Sequence, residues 1–102
     1  MITVKVSYTV KPEFVETNKK NISLFLEDFK KMNADDFRYT VYLKEDGLTF
    51  VHFSSYINEE IQNKILNVSS FKAFQQKRDE SGLNDSHEIS VLNYVGSSFP
   101  IF

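Results

Sequence analysis

The sequence has no cysteine and no tryptophan, three glycines, two prolines and two histidines. Without thiols there can be no disulfide, no cysteine nucleophile and no thiolate-held zinc or iron–sulfur centre. The two histidines, His52 and His87, stand far apart with no ligand spacing, so no metal is expected. No apolar run approaches the roughly 18 residues of a membrane-spanning helix. The opening MITVKVSYTV alternates apolar and polar residues where a secretory core would be continuous, so the expected compartment is cytoplasmic. Basic charge is not in excess. Twelve Lys and Arg against fourteen Asp and Glu leave a net charge of −2, which argues against a nucleic-acid binder and against docking on an anionic membrane. There is no glycine-rich phosphate loop, no serine nucleophile elbow and no Lys/Arg-Gly-aromatic run of the RNA-binding βαββαβ domains.

What the sequence does have is apolar and aromatic material for one core. Its 102 residues fit a single domain, and ten Phe and five Tyr supply bulky side chains. Ile2, Val4, Val6, Tyr8 and Val10 alternate with polar residues, the period of a half-buried strand. Pro12 and Glu13 suit a helix start. The helix is predicted from about Pro12 to about Met32, with Val15, Ile22, Phe25, Leu26, Phe29 and Met32 on one stripe. Phe37–Lys44 and Leu48–Tyr56 read as a hairpin around Asp46-Gly47. That turn sets Leu43 opposite Phe50, Val41 opposite His52, Tyr39 opposite Ser54 and Phe37 opposite Tyr56. Asn58 is a good N-cap for a short helix carrying Ile61, Ile65 and Leu66. Ser69-Ser70 starts another, with Phe71 and Phe74 inward and Gly82 as its stop. A last strand is predicted over His87–Val95.

The order β-α-β-β-α(α)-β is that of a ferredoxin-like α+β sandwich. It implies a four-stranded antiparallel sheet with both helical layers on one face. The other face, with Tyr42, Val51 and Phe53, would stay open in a single copy. Covering it with a second copy removes an exposed apolar patch, so a homodimer is expected. Residues 1–96 form the domain and 97–102 an apolar tail, Phe99-Pro100-Ile101-Phe102 at its end, that would pack on a partner subunit.

Over roughly residues 2–96 the chain resembles the antibiotic-biosynthesis-monooxygenase family of dimeric α/β-barrel proteins. The resemblance is carried by the first strand running into Val10-Lys11-Pro12-Glu13, by Phe50-Val51-His52-Phe53-Ser54-Ser55-Tyr56-Ile57-Asn58-Glu59-Glu60, and by Ser69-Ser70-Phe71-Lys72-Ala73-Phe74. Where members typically end the third strand in an acidic–basic–Trp run, this chain has Ser54-Ser55-Tyr56, and Ser70 stands where many have His. Haem-degrading members place an Asn in the first strand, a Trp before the last helix and a His within it. The comparable positions here are Ser7, Ile65 and Gln75, so haem is not implied. Quinol-oxidising members carry several His in the second helical segment, and none lies between His52 and His87. The resemblance therefore implies a cofactor-independent oxygenase. In such a protein a pocket between sheet and helices holds a small phenolic or quinol-type aromatic, and the deprotonated substrate itself passes electrons to oxygen. The alternative is a non-catalytic small-molecule-binding or structural domain of the same fold.

His52 is the candidate catalytic residue. A partly buried imidazole titrating near neutrality would take a phenolic proton or hydrogen-bond the substrate; the other reading is a core histidine satisfied by one hydrogen bond. Tyr8, Tyr56 and Tyr39 are candidate substrate-lining residues, or core tyrosines whose hydroxyls each find one partner. Phe25 and Phe74, with Phe29 and Phe71, would form an aromatic cage or simply the core. Gln75 and Asn67 sit near the helical break, within reach of a ligand or of solvent. The carboxylate pairs, such as Asp35-Asp36 and Glu59-Glu60, are sequence neighbours that do not converge.

Overall fold

A computed structural model describes residues 1–102. The elements are β1 (Ile2–Thr9), a 3-10 turn (Pro12–Phe14), α1 (Val15–Lys30), β2 (Phe37–Leu43), β3 (Thr49–Tyr56), α2 (Glu59–Leu66), α3 (Ser69–Glu80) and β4 (Glu88–Leu92). The strands form one antiparallel sheet in the order β2-β3-β1-β4. This is the ferredoxin-like α+β architecture read from the sequence. No helix is long and apolar enough to cross a membrane.

Local chemistry explains the hairpin. The backbone N–H groups of Leu48 and Thr49 donate to Asp46 Oδ1 at 2.8 and 2.9 Å, and the Thr49 hydroxyl donates to Oδ2 at 2.7 Å. These bonds, that from Leu48 foremost, hold the Asp46 carboxyl below its ordinary range. Gly47 takes φ +73°, a conformation that other residues rarely adopt. The register that follows sets Phe37 opposite Tyr56, Tyr39 opposite Ser54, Val41 opposite His52 and Leu43 opposite Phe50. Period two then sends Phe37, Tyr39, Phe50, His52 and Tyr56 to one face. β1 pairs with β3 from Ile2 opposite Tyr56 to Thr9 opposite Thr49, and adds Tyr8 to that face.

The helices cover this face. α1 buries Ile22, Phe25 and Phe29, and α3 buries Phe71 and Phe74. Their rings interlock, with Phe25 5.0 Å from Phe71 and 4.9 Å from Phe74 between centroids. α2 is capped as its sequence indicates: the Ile61 N–H donates to Asn58 Oδ1 at 2.9 Å.

Three boundaries differ from the sequence reading by more than one residue. The segment starting at Pro12 opens with a 3-10 turn, and the α-helix begins only at Val15 and ends at Lys30 rather than Met32. β4 ends at Leu92 rather than Val95. Its last ladder partner is Thr3, and beyond it β1 has only Ile2 left to pair with. Within the single chain, the tail lies on its own sheet. Phe99, Pro100 and Ile101 line a groove of about 430 Å³ on the open face with Arg38, Thr40 and Phe53, and the Arg38 guanidinium lies 5.2 Å over the Phe102 ring. Elsewhere that face is open only in part: Tyr42 is 57% exposed and meets Phe53 edge-on, whereas Val51, expected to be open in a single copy, is buried between its strand neighbours. The helical layer also stops short of β4, whose five residues are all exposed.

Candidate functional site

Between the covered sheet face and α3, toward β4, lies a cavity of about 260 Å³. An apolar cavity of about 150 Å³ holds benzene, so this one has room for an aromatic of one or two rings. Its walls include Val4, Val6, Leu66, Phe71 and Ile89; its polar groups come from Tyr39, His52, Ser54, Tyr56, Gln62, Gln75, Arg78 and His87. No Asp or Glu lines it.

His52 forms the inner wall, 2% exposed. Both its ring nitrogens are engaged: Nε2 lies 2.8 Å from the Tyr8 hydroxyl and Nδ1 lies 2.8 Å from the Tyr39 hydroxyl. Behind Tyr8, Asn18 Nδ2 donates to the Tyr8 oxygen at 2.9 Å. Phe25 and Phe74 press on the imidazole, at 6.4 and 5.5 Å between centroids.

Burial dominates the ionisation of this group. Desolvation, then the Arg78 cation and then His87, push His52 down to about 3. Desolvation raises the Tyr8, Tyr39 and Tyr56 phenols above their usual range. At neutral pH all four rings are uncharged and act as dipoles. The cation is Arg78. It is 6% exposed, and its guanidinium stacks on the rings of Tyr8 and Phe74 at 5.2 and 5.4 Å. Its one ion-pair partner, Asp79 at 3.0 Å from Nε, is largely exposed. Here a cation is buried at the cavity wall while its counter-charge is exposed to water.

Comparison with solved structures places this architecture. The chain superposes on a crystal structure of an antibiotic biosynthesis monooxygenase with a TM-score of 0.79 at 11% identity, covering 94% of this chain and 100% of that one. The chain has the fold of that monooxygenase. On SnoaB, a cofactor-independent oxygenase from Streptomyces nogalater, the TM-score is 0.72 at 12% identity over 95% of each chain. On a conserved protein from Methanosarcina mazei it is 0.76 at 21% identity over 89% of each. No protein-family model and no curated protein matches the sequence.

On this monooxygenase fold, three of the six residues singled out from the sequence meet at the cavity: His52, Tyr39 and Tyr56. The other three stand behind it. Tyr8 is fully buried on the far side of the imidazole, and Phe25 and Phe74 belong to the core that packs against it. The expectation of a half-buried His52 titrating near neutrality is corrected, because the ring is enclosed and its nitrogens are both bonded. Gln75, weighed as a ligand contact, does line the cavity. Arg78, Gln62 and the cavity position of His87 were missed. Arg78 had a signal: it follows Phe71 by seven residues and Phe74 by four, on the inward stripe of α3. Nowhere do three or more His, Cys, Asp or Glu side chains converge as a metal site.

Proposed function

We propose that the chain is a cofactor-independent oxygenase of the antibiotic-biosynthesis-monooxygenase type, acting on a one- or two-ring phenol or quinol held in the cavity beneath α3. The observation that carries this reading is the cavity's composition: aromatic and aliphatic walls, neutral hydrogen-bonding groups, one cation and no carboxylate. Such a site favours a deprotonated aromatic over a neutral one. The deprotonated ring is the electron donor to dioxygen. Radical recombination forms a carbon–oxygen bond, and loss of water from the resulting hydroperoxide leaves the product. The balance is quinol plus O₂ to hydroxyquinone plus water.

On this reading His52 is a hydrogen-bond partner rather than the base. A group titrating near 3 is a poor acceptor for a phenolic proton, and that proton leaves to water on binding. Tyr39 and Tyr56 orient the ring, while Tyr8, Phe25 and Phe74 hold the imidazole. Two copies pair through the open sheet face around Tyr42 and Phe53, with the 97–102 tail at the edge of the interface.

That His52 has both ring nitrogens engaged and is a poor base favours a second reading, a binding module that retains the fold and pocket. An oxygen electrode separates the two. With a panel of one- and two-ring quinols at neutral pH, the expected result is uptake of one O₂ per quinol without peroxide release. Uptake no faster than in buffer across the panel, with binding retained, selects the binding module.

A further inference from the structure

The chain Asn18–Tyr8–His52–Tyr39 is a hydrogen-bond relay whose direction can be worked out from one end. Asn18 is fully buried, and its Nδ2 donates to the Tyr8 oxygen while its Oδ1 has no partner. Turning the amide round would bond the carbonyl oxygen and orphan the NH₂ instead. The amide is therefore assigned with Nδ2 toward Tyr8, the orientation that leaves the carbonyl rather than the whole NH₂ unpaired. Tyr8 has one proton. With Asn18 donating to its oxygen, that proton points to His52 Nε2, 2.8 Å away. A neutral imidazole that accepts at Nε2 carries its hydrogen on Nδ1, and Nδ1 donates to the Tyr39 oxygen at 2.8 Å. The Tyr39 proton is then left with the cavity it lines.

We propose that Asn18 fixes the direction of this relay, so that Tyr39 offers its O–H to the cavity and, with Arg78, makes the site a receptor for an aromatic oxyanion. The inference rests on the cavity being the ligand site, as argued above, but not on oxygen chemistry. Asn18 touches no ligand: it is a positioning residue acting through Tyr8 and His52. The charged and titratable groups around the receptor are few. Arg78 comes from α3, His52 and Tyr56 from β3, Tyr39 from β2, Tyr8 from β1 behind the imidazole, and His87 from the loop before β4; Asp79 sits outside, beside Arg78. Arg78 is the one full charge facing a ligand at neutral pH.

The test reads the relay and the receptor separately. Nitrogen-15 NMR of histidine-labelled protein at pH 7 is expected to show His52 with Nδ1 protonated and Nε2 bare; an Nε2-protonated ring overturns the assignment without any variant. In Asn18→Leu the Nε2-protonated form is expected to appear, and an unchanged single tautomer overturns the role of Asn18. Should that variant fail to fold, the wild-type tautomer and Tyr39→Phe still decide. The receptor is probed with para-nitrophenol, whose yellow anion reports its own ionisation. It is expected to bind as the anion even in mildly acidic buffer, about tenfold more weakly in Tyr39→Phe. Binding as the neutral phenol, no binding, or unchanged affinity in Tyr39→Phe overturns the receptor. Quinol turnover without anion preference would sink this inference and leave the oxygenase standing; anion binding without oxygen uptake would do the reverse.

Discussion

Replacing Arg78 with methionine is expected to lower kcat/KM for oxygen-dependent quinol turnover by about 10²–10³-fold, the usual range for removing one preorganised donor from a developing anion. The size of the effect follows from the surroundings. Arg78 is 6% exposed and is the only cation among the cavity's lining residues. Electron transfer moves negative charge from the aromatic to dioxygen without removing it from the cavity, so the same guanidinium serves the anion before and after the step. Methionine keeps a long flexible stem against Tyr8 and Phe74, so packing is largely retained. Lysine should recover part of the loss, since it restores the charge but not the planar fork or the stacking on both rings. Activity within twofold of wild type in the methionine variant, with a native circular dichroism spectrum, contradicts the assignment.

The second large effect concerns stability and pH. The imidazole of His52 is held neutral down to about 3, whereas in the unfolded chain it titrates near its ordinary 6.5. Between those values the unfolded state binds a proton that the native state does not, so stability rises with pH. The contribution is fully present above 6.5 and is lost as pH falls toward 3, at up to about 1.4 kcal/mol per unit. The geometry gives the same sign. An imidazolium has two donors and no acceptor, so protonation would leave the Tyr8 O–H without its partner. The His87 imidazole is also held low, first by burial, and adds in the same direction. Urea unfolding at pH 7 and pH 5 should therefore show a loss in wild type that is smaller by about 2 kcal/mol in His52→Gln. Equal losses in the two proteins would mean that His52 is not held neutral by the fold.

How much of this was legible in the sequence depends on which residues obey a simple period. The hairpin was readable because Asp46-Gly47 fixes a register and strict alternation carries it from Leu43–Phe50 to Phe37–Tyr56. The two inward phenylalanines of α3 were readable for the same reason. Arg78 lies on their stripe, but a charged residue at such a position is ordinarily taken as solvent-facing. Only the fold shows the Tyr8 and Phe74 rings 5.2 and 5.4 Å from its guanidinium and its partner Asp79 outside. His52 was placed on the correct face and at the wrong depth, because strand alternation gives a side and says nothing about how far helices reach across it. Tyr8 and Tyr39 both point to that face; the register sets Tyr8 beside Phe50 and Tyr39 beside Ser54, on either side of His52 along β3, and only the Ser54 side borders the cavity. Asn18 carried the same positional signal as Arg78, three residues after Val15 and four before Ile22 on the inward stripe of α1, but an asparagine there is unremarkable until its burial is seen.

The central claim is that the cavity under α3 is where an aromatic binds. The competing place is the groove on the open sheet face, between Arg38, Phe53 and Phe99. An anaerobic NMR titration with a naphthalene diol distinguishes them directly. The account predicts saturable shifts at His52, Tyr39, Gln75, Arg78 and Ile89, with Tyr42 and Phe99 unmoved. Shifts centred on Arg38, Phe53 and Phe99, or none around His52 at saturating ligand, would contradict it.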